Sequence, residues 1–203
     1  MGYRLIEAPA DVSGDLLERA IAHVAADSSE ADMLRNQLKA SIATLDGANG
    51  ALGRTIMAQT WAWDVDAFPA DGRPLHLPLP PCQGGADWLV DSVSYFDVEG
   101  VSRTLTAGVD YVAPAGRGFL IPVIGGSWPD AAAWPGAVTV TVTSGSDDVA
   151  ALPENLVAAV LLMVGDLFKN RETTVEGTIS AKVPMSTTVT NLLAGLVYTR
   201  PDV

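Results

Sequence analysis

Few residues in this chain have the types and spacing a reactive site would need. There are two histidines, His23 and His76, and one cysteine, Cys82. Their isolation leaves no His- or Cys-based metal spacing and no internal disulfide. Ser144 and Ser146, in TSGSDD, stand beside Asp147 and Asp148. Hydroxyls become nucleophiles only with a base in reach. Both histidines are far away in sequence and no GxSxG elbow is present, so the stretch reads as a polar strand-to-helix loop. Asp64, Asp66 and Asp71 approach the spacing of a calcium loop, but Phe68 occupies the third ligand position and no Glu closes the loop. Gly47, Gly50 and Gly53 follow a helix and match neither a phosphate loop nor a dinucleotide fingerprint, which leaves a helix-ending turn. Cys82 has no neighbouring base or cation and reads as an inert thiol. His76 reads as a surface or interface residue, and His23 as the polar margin of the first helix. The expectation is a protein that is not an enzyme, with no metal and no cofactor.

The five tryptophans carry more information. Trp61 and Trp63 alternate on one strand, while Trp88, Trp128 and Trp134 sit beside Pro or Gly at strand ends. Core and corner packing is one reading. The other is an aromatic interface or ligand platform made from Trp61, Trp63, Trp128 and Trp134, since Trp is enriched at binding hot spots.

The elements that must position these residues follow from periodicity. Leu16, Leu17, Ala20, Ile21 and Val24 predict an amphipathic helix within 10–26. A second begins after Asp27-Ser28-Ser29, presents Met33, Leu34, Leu38, Ile42 and Leu45, and stops at Asp46-Gly47. The period then changes to two, with strands predicted at Thr60–Phe68, Trp88–Val98, Tyr111–Ala113, Gly118–Val123 and Ala137–Thr143. Between the first two of these, 69–87 is rich in proline, with Leu75, Leu77 and Leu79 alternating, which limits any strand there to an edge. After Pro153, Leu156–Phe168 is apolar nearly all round, with Leu156, Val160, Leu161, Val164 and Phe168 expected in the core or a subunit interface. A loop over 173–188, a short amphipathic segment Val189–Tyr198 and a tail complete the chain. The fold class is α+β: a helical bundle of two N-terminal helices, one long later helix and a short final one, carrying an antiparallel β insertion. The segments are 1–57, 58–150 and 151–203, in one compact unit.

Composition narrows function further. In 203 residues, 48% are apolar, and 24 acidic side chains against 12 basic give a net charge of −12. That apolar fraction offsets the entropy of chain ordering and excludes a disordered polypeptide. So acidic a surface repels phosphate and disfavours non-specific nucleic-acid or anionic-membrane binding. Residues 1–10 lack the apolar core of a signal peptide, and Leu156–Val164 is too short to span a bilayer. With a single cysteine, folding in a reducing cytoplasm is expected.

Three stretches in order carry a family resemblance. The first is ALGRTIMAQTWAWDVDAFP (51–69). The second runs from LHLPLPP (75–81) through SVSYFDVEG (92–100), GVDYVAP (108–114) and SWP (127–129) to AVTVTVTSG (137–145). The third is LPENLVAAVLLMVGDLFKNRE (152–172) followed by VPMSTTVTNLLAGLVY (183–198). Together, over about 170 residues, they resemble the head–tail connector, or adaptor, proteins of long-tailed bacteriophages and gene transfer agents. The sequence departs from that pattern at DGANGALGR (46–54), at Leu167-Phe168-Lys169-Asn170-Arg171 and in the long loop 173–188.

The resemblance implies a structural virion protein at the head–tail interface, made in the bacterial host cytoplasm. It implies a ring of copies, usually a dodecamer, that joins the portal protein to stopper or tail proteins. DNA would pass through its channel without sequence-specific binding, and no membrane is involved. It also implies that Leu193, Leu196, Val197, Tyr198 and Arg200 reach the portal, in a tail that orders on binding. Read without the resemblance, the residues leave open another prophage structural protein (a stopper or terminator) or a Trp-lined β-rich ligand-binding module.

Overall fold

The computed structural model describes residues 2–9, 11, 13–82, 88–115, 117–146, 148–170 and 186–198. In chain order the elements are β1 (Gly2–Glu7), α1 (Ser13–Val24), α2 (Ala31–Leu45), β2 (Gln59–Val65), β3 (Leu75–His76), β4 (Leu89–Phe96), β5 (Ser102–Leu105), β6 (Tyr111–Val112), β7 (Phe119–Pro122), β8 (Val138–Ser144), α3 (Glu154–Lys169) and α4 (Thr187–Leu193). The chain is therefore a mixed α+β protein. The sheet is more than an insertion between helices, because β1 precedes α1 and pairs with β2.

Helix boundaries follow local chemistry. Before α2, Glu30 reaches back so that the Asp27 N–H donates to its carboxylate at 3.2 Å. At the other end, Asp46 is already extended and Gly47 takes φ +74°, a conformation costly for a side chain with a Cβ. Pro153 stands just outside α3 with extended backbone, and its carbonyl accepts from the Leu156 and Val157 N–H groups at 2.9 and 3.1 Å.

The helices share one apolar core. Leu16, Ala20, Leu34, Leu38, Leu45, Leu156, Val160 and Val164 meet there, and α4 adds Val189 and Leu193. Each fully buried aliphatic side chain contributes about 1.5–3 kcal/mol. α3 is not buried on every side as its composition suggests: Leu161, Leu162, Met163 and Phe168 are half-buried and Leu167 is exposed. Among the described residues, no helix is long and apolar enough to cross a membrane.

Five antiparallel strands form the main sheet in the order β1-β2-β8-β4-β5, and three form a second in the order β3-β7-β6. Register places Trp61, Trp63 and Val65 of β2 opposite Val142, Val140 and Val138 of β8. Alternation then directs these residues to one face. Trp63 and the valines pack there with Leu75, Leu77, Leu120, Tyr111 and Trp128 in a second core. On the other face, the Thr60 and Thr143 hydroxyls lie 2.8 Å apart and the Thr139 hydroxyl donates to Asp64 at 2.8 Å. The strand predicted to reach Phe68 ends at Val65, and Phe68 turns inward to stack on Trp128 with centroids 5.0 Å apart.

Candidate functional site

The helical and β halves meet at the segment 46–59, where one polar network is built. Asp46, at the end of α2, is brought beside the start of β2 by the glycine turn. Gly50 permits the close return: a Cβ there would lie 2.3 Å from the carbonyl oxygens of both Leu45 and Asp46. Asp46 Oδ1 accepts from the Ile56 N–H at 2.7 Å, and both carboxylate oxygens accept from Gln59 Nε2 at 2.9 Å. Gln59 Oε1 in turn accepts from Trp61 Nε1 at 3.0 Å. Burial pushes the Asp46 carboxyl above its usual range, with the Ile56 and Gln59 hydrogen bonds opposing that rise.

Arg54 is the second hub. Its Nε donates to the Leu196 carbonyl, and Nη1 donates to the Pro81 carbonyl at 3.0 Å. Its guanidinium carbon stands 5.6 Å from the Tyr198 ring centroid. The Tyr198 N–H donates to the Leu52 carbonyl at 2.9 Å. One side chain thus joins the glycine turn, the proline-rich segment and the C-terminal residues. The C-terminal segment from Leu196 to Tyr198 is held within the subunit, contrary to the expectation that it orders only on binding. Arg200 lies outside the described residues, as does most of the predicted loop 173–188.

Outward-facing apolar residues form separate patches. At the β4–β5 hairpin, Phe96 and Trp134 tilt together with centroids 5.5 Å apart, beside exposed Val98 and Val101. At the opposite edge of the sheet, Tyr3, Leu5 and Ile6 of β1 are exposed. Between the strands, an open groove of about 360 Å³ is lined by residues including Leu77, Trp88, Tyr111, Pro114 and Phe119. Trp88 is fixed there by donating to the Pro78 carbonyl at 2.8 Å. The described lining carries no charged group to orient a ligand.

The tryptophans do not form one platform. Trp61, Trp63 and Trp128 are buried inside the subunit, and Trp134 alone of the four candidates is exposed. Trp88 of the groove and Phe96 of the hairpin were not among the sequence candidates. Reactive groups also stay apart. Ser144 Oγ is 2.8 Å from the Thr55 hydroxyl and donates to the Leu79 carbonyl, whereas Ser146 bonds within its own turn to Asp148. Cys82 is buried, and burial pushes its thiol up to about 12. His76 packs edge-on against Phe119. No group of three or more His, Cys, Asp or Glu among the described residues is arranged to hold a metal ion.

No protein-family model matches the sequence, and no curated protein does. Solved structures do. A chain described as "Virion of native gene transfer agent (GTA) particle" matches with TM-score 0.70 at 19% identity, covering 99% of this chain and 97% of that one. A chain from the "Neck of empty GTA particle computed with C6 symmetry" matches with TM-score 0.68 at 22% identity, over 99% and 97%. One from the "Neck of native GTA particle computed with C12 symmetry" gives 0.64 at 22%, over 98% and 97%. The fold is shared with these particle chains.

Against that shared fold, the other residues singled out in the sequence are distributed as follows. Leu156, Val160 and Val164 face the helical core, while Leu161 and Phe168 are half-buried at its margin. Leu193 is buried in the same core, Leu196 packs partly against it, and Val197 is exposed. Arg54 and Gln59 lie inside the stretch 51–69, but Arg54 donates to carbonyls 27 and 142 positions away and Gln59 reaches outside the stretch to Asp46.

Proposed function

We propose that this chain is a structural subunit of the neck of a gene transfer agent or tailed-phage-like particle. It acts as a head–tail connector: copies form a ring, a dodecamer in the assembled particle, between the portal protein and the stopper or tail. The observation that carries this reading is the extent of the fold likeness, which spans 98% or more of this chain and 97% of each neck chain. The C12 symmetry used for one of those necks suits a ring of identical subunits. A net charge of −12 suits a channel wall along which DNA slides without being gripped. The half-exposed apolar side chains of α3 leave surface for a neighbour, and Leu196, Val197, Tyr198 and Arg200 are the proposed portal contact, whereas Leu193, buried in the helical core, offers no surface for it. For that contact to form, the tail leaves its clasp on Arg54.

The test is native mass spectrometry and negative-stain imaging of the purified chain, with and without the portal protein of the same gene cluster. Rings of about a dozen copies on the portal support the proposal. A chain that stays monomeric and ignores the portal at high concentration overturns it.

A further inference from the structure

We propose that successive copies join through two different surfaces of the sheet domain, with the open β1 edge of one copy seated against the Phe96–Trp134 knuckle of the next. This rests on the ring reading above and deepens it by naming the two surfaces.

The first surface is an open strand edge. β1 pairs with β2 on one side only, and all six of its residues are exposed, with Tyr3, Leu5 and Ile6 at 40%, 43% and 52%. Unpaired backbone groups flanked by apolar side chains are a template for another chain.

The second surface lies at the end of β4, where the hairpin to β5 meets the loop that leads into β8. β5 itself is polar, but the hairpin before it presents Val98 and Val101 beside the Phe96–Trp134 pair. This knuckle is rigid. The Asp97 carboxylate accepts from the Glu99 and Val101 N–H groups at 3.0 and 2.9 Å and from Arg103 Nε at 2.9 Å. The Ala132 N–H closes the adjoining loop onto the Phe96 carbonyl at 2.8 Å. A preformed aromatic patch loses little conformational freedom on docking, which favours affinity.

Charge is complementary as well. Arg103 is engaged by Asp97, so exposed Glu99 and Asp130 leave the knuckle acidic. Arg4 is exposed in the middle of β1 and makes no salt bridge among the described residues, while Glu7 sits at the strand end beyond the bulge. Two different patches, one a strand edge and one a strand-end knuckle, make a heterologous contact, the kind that repeats from copy to copy and closes into a ring. A β1-to-β1 contact would stop at two copies.

The test is disulfide trapping of the full chain carrying Leu5→Cys, Val101→Cys, or both. Buried Cys82 does not compete. Under mild oxidation the double variant should give a ladder of dimers, trimers and higher species, and neither single variant should. Self-crosslinking of Leu5→Cys alone would mean a two-fold contact and would overturn the inference. Rings that assemble without a ladder would overturn it while leaving the ring reading intact. A chain that neither self-associates nor forms a ladder on the portal would overturn both. As a second measurement, Trp134→Ala should weaken self-association about thirtyfold, as expected of an interface anchor. Its melting temperature should hold, because the ring is half exposed. Unchanged association of Trp134→Ala would also overturn the inference.

Discussion

Replacing Arg54 by alanine removes two charge-assisted hydrogen bonds and one cation–ring contact from a single junction. A hydrogen bond from a charged donor contributes about 1.5–3 kcal/mol when buried, and Arg54 is only half-buried, so about 1.3 kcal/mol each is appropriate. The ring contact adds about 0.5 kcal/mol. Arg54→Ala should therefore cost about 3 kcal/mol, which lowers the melting temperature of a domain this size by about 6–12 °C. Urea unfolding followed by tryptophan fluorescence measures the loss. Tyr198→Ala, alone and combined with Arg54→Ala, isolates the contribution of the tail, with an expected coupling of about 0.5–1 kcal/mol. Arg54→Lys should recover less than half, since an ammonium cannot reproduce the planar fork that reaches two carbonyls in different directions. A loss under 0.5 kcal/mol for Arg54→Ala, or no coupling to Tyr198, would refute the assignment of this side chain as the tail clasp.

Further outcomes follow from the same contacts. The raised folded value of Asp46 means that the native state holds a proton the unfolded chain releases, so this group's contribution to stability increases as pH falls through that value. The stability gap between the parent and Asp46→Ala should widen from neutral pH toward the ordinary aspartate range, and a narrowing gap in chemical denaturation would contradict this. With its thiol at about 12, Cys82 should label with a disulfide reagent at pH 8 only as fast as the chain unfolds. Rapid labelling of the native protein would place it elsewhere. Gly50→Ala should cost at least about 3 kcal/mol, because the Cβ meets two carbonyl oxygens. Gly108→Ala, at φ +79° with open space around it, should cost about 1 kcal/mol. Equal melting-temperature shifts for the two would refute the distinction. If the tail engages the portal, Arg54→Ala should bind portal more tightly, by up to about a hundredfold, even as it unfolds more easily. Loss of binding would reverse that sign.

The helices and the central strands were legible because their own side chains repeat with the period of the structure. Leu34, Leu38 and Leu45 mark the buried face of α2, and Val138, Val140 and Val142 mark that of β8. β1 and β5 were missed for a physical reason: all of β1 and nearly all of β5 are exposed, so no buried face imprints a period-two pattern on GYRLIE or SRTL. Trp61 and Trp63 lie on the predicted strand, whereas Trp88, Trp128 and Trp134 stand in the connections, and type and spacing do not reveal the exposure of any of them. Trp63 is in the core because strand register turns it onto the covered face of the sheet, and Trp134 is on the surface because it stands in the loop before β8, where no register holds it.

The junction shows why the rest stayed hidden. Gln59 and Arg54 stand in the stretch 51–69, but each takes its role from a partner outside it. Gln59 acts through Asp46, across the glycine turn, and Arg54 through Leu196, 142 positions away. A local pattern can predict that a helix ends at Asp46-Gly47 and that a strand begins near Thr60. It cannot predict that the twelve residues between them must fold tightly enough to bury a carboxylate under a glutamine and direct a guanidinium at the tail. That compaction depends on Gly50, where the chain passes so near its own carbonyls that no side chain fits. The insertion-like DGANGALGR, a departure from the connector pattern in sequence, is therefore the segment that ties the helical half, the sheet and the C-terminal residues together.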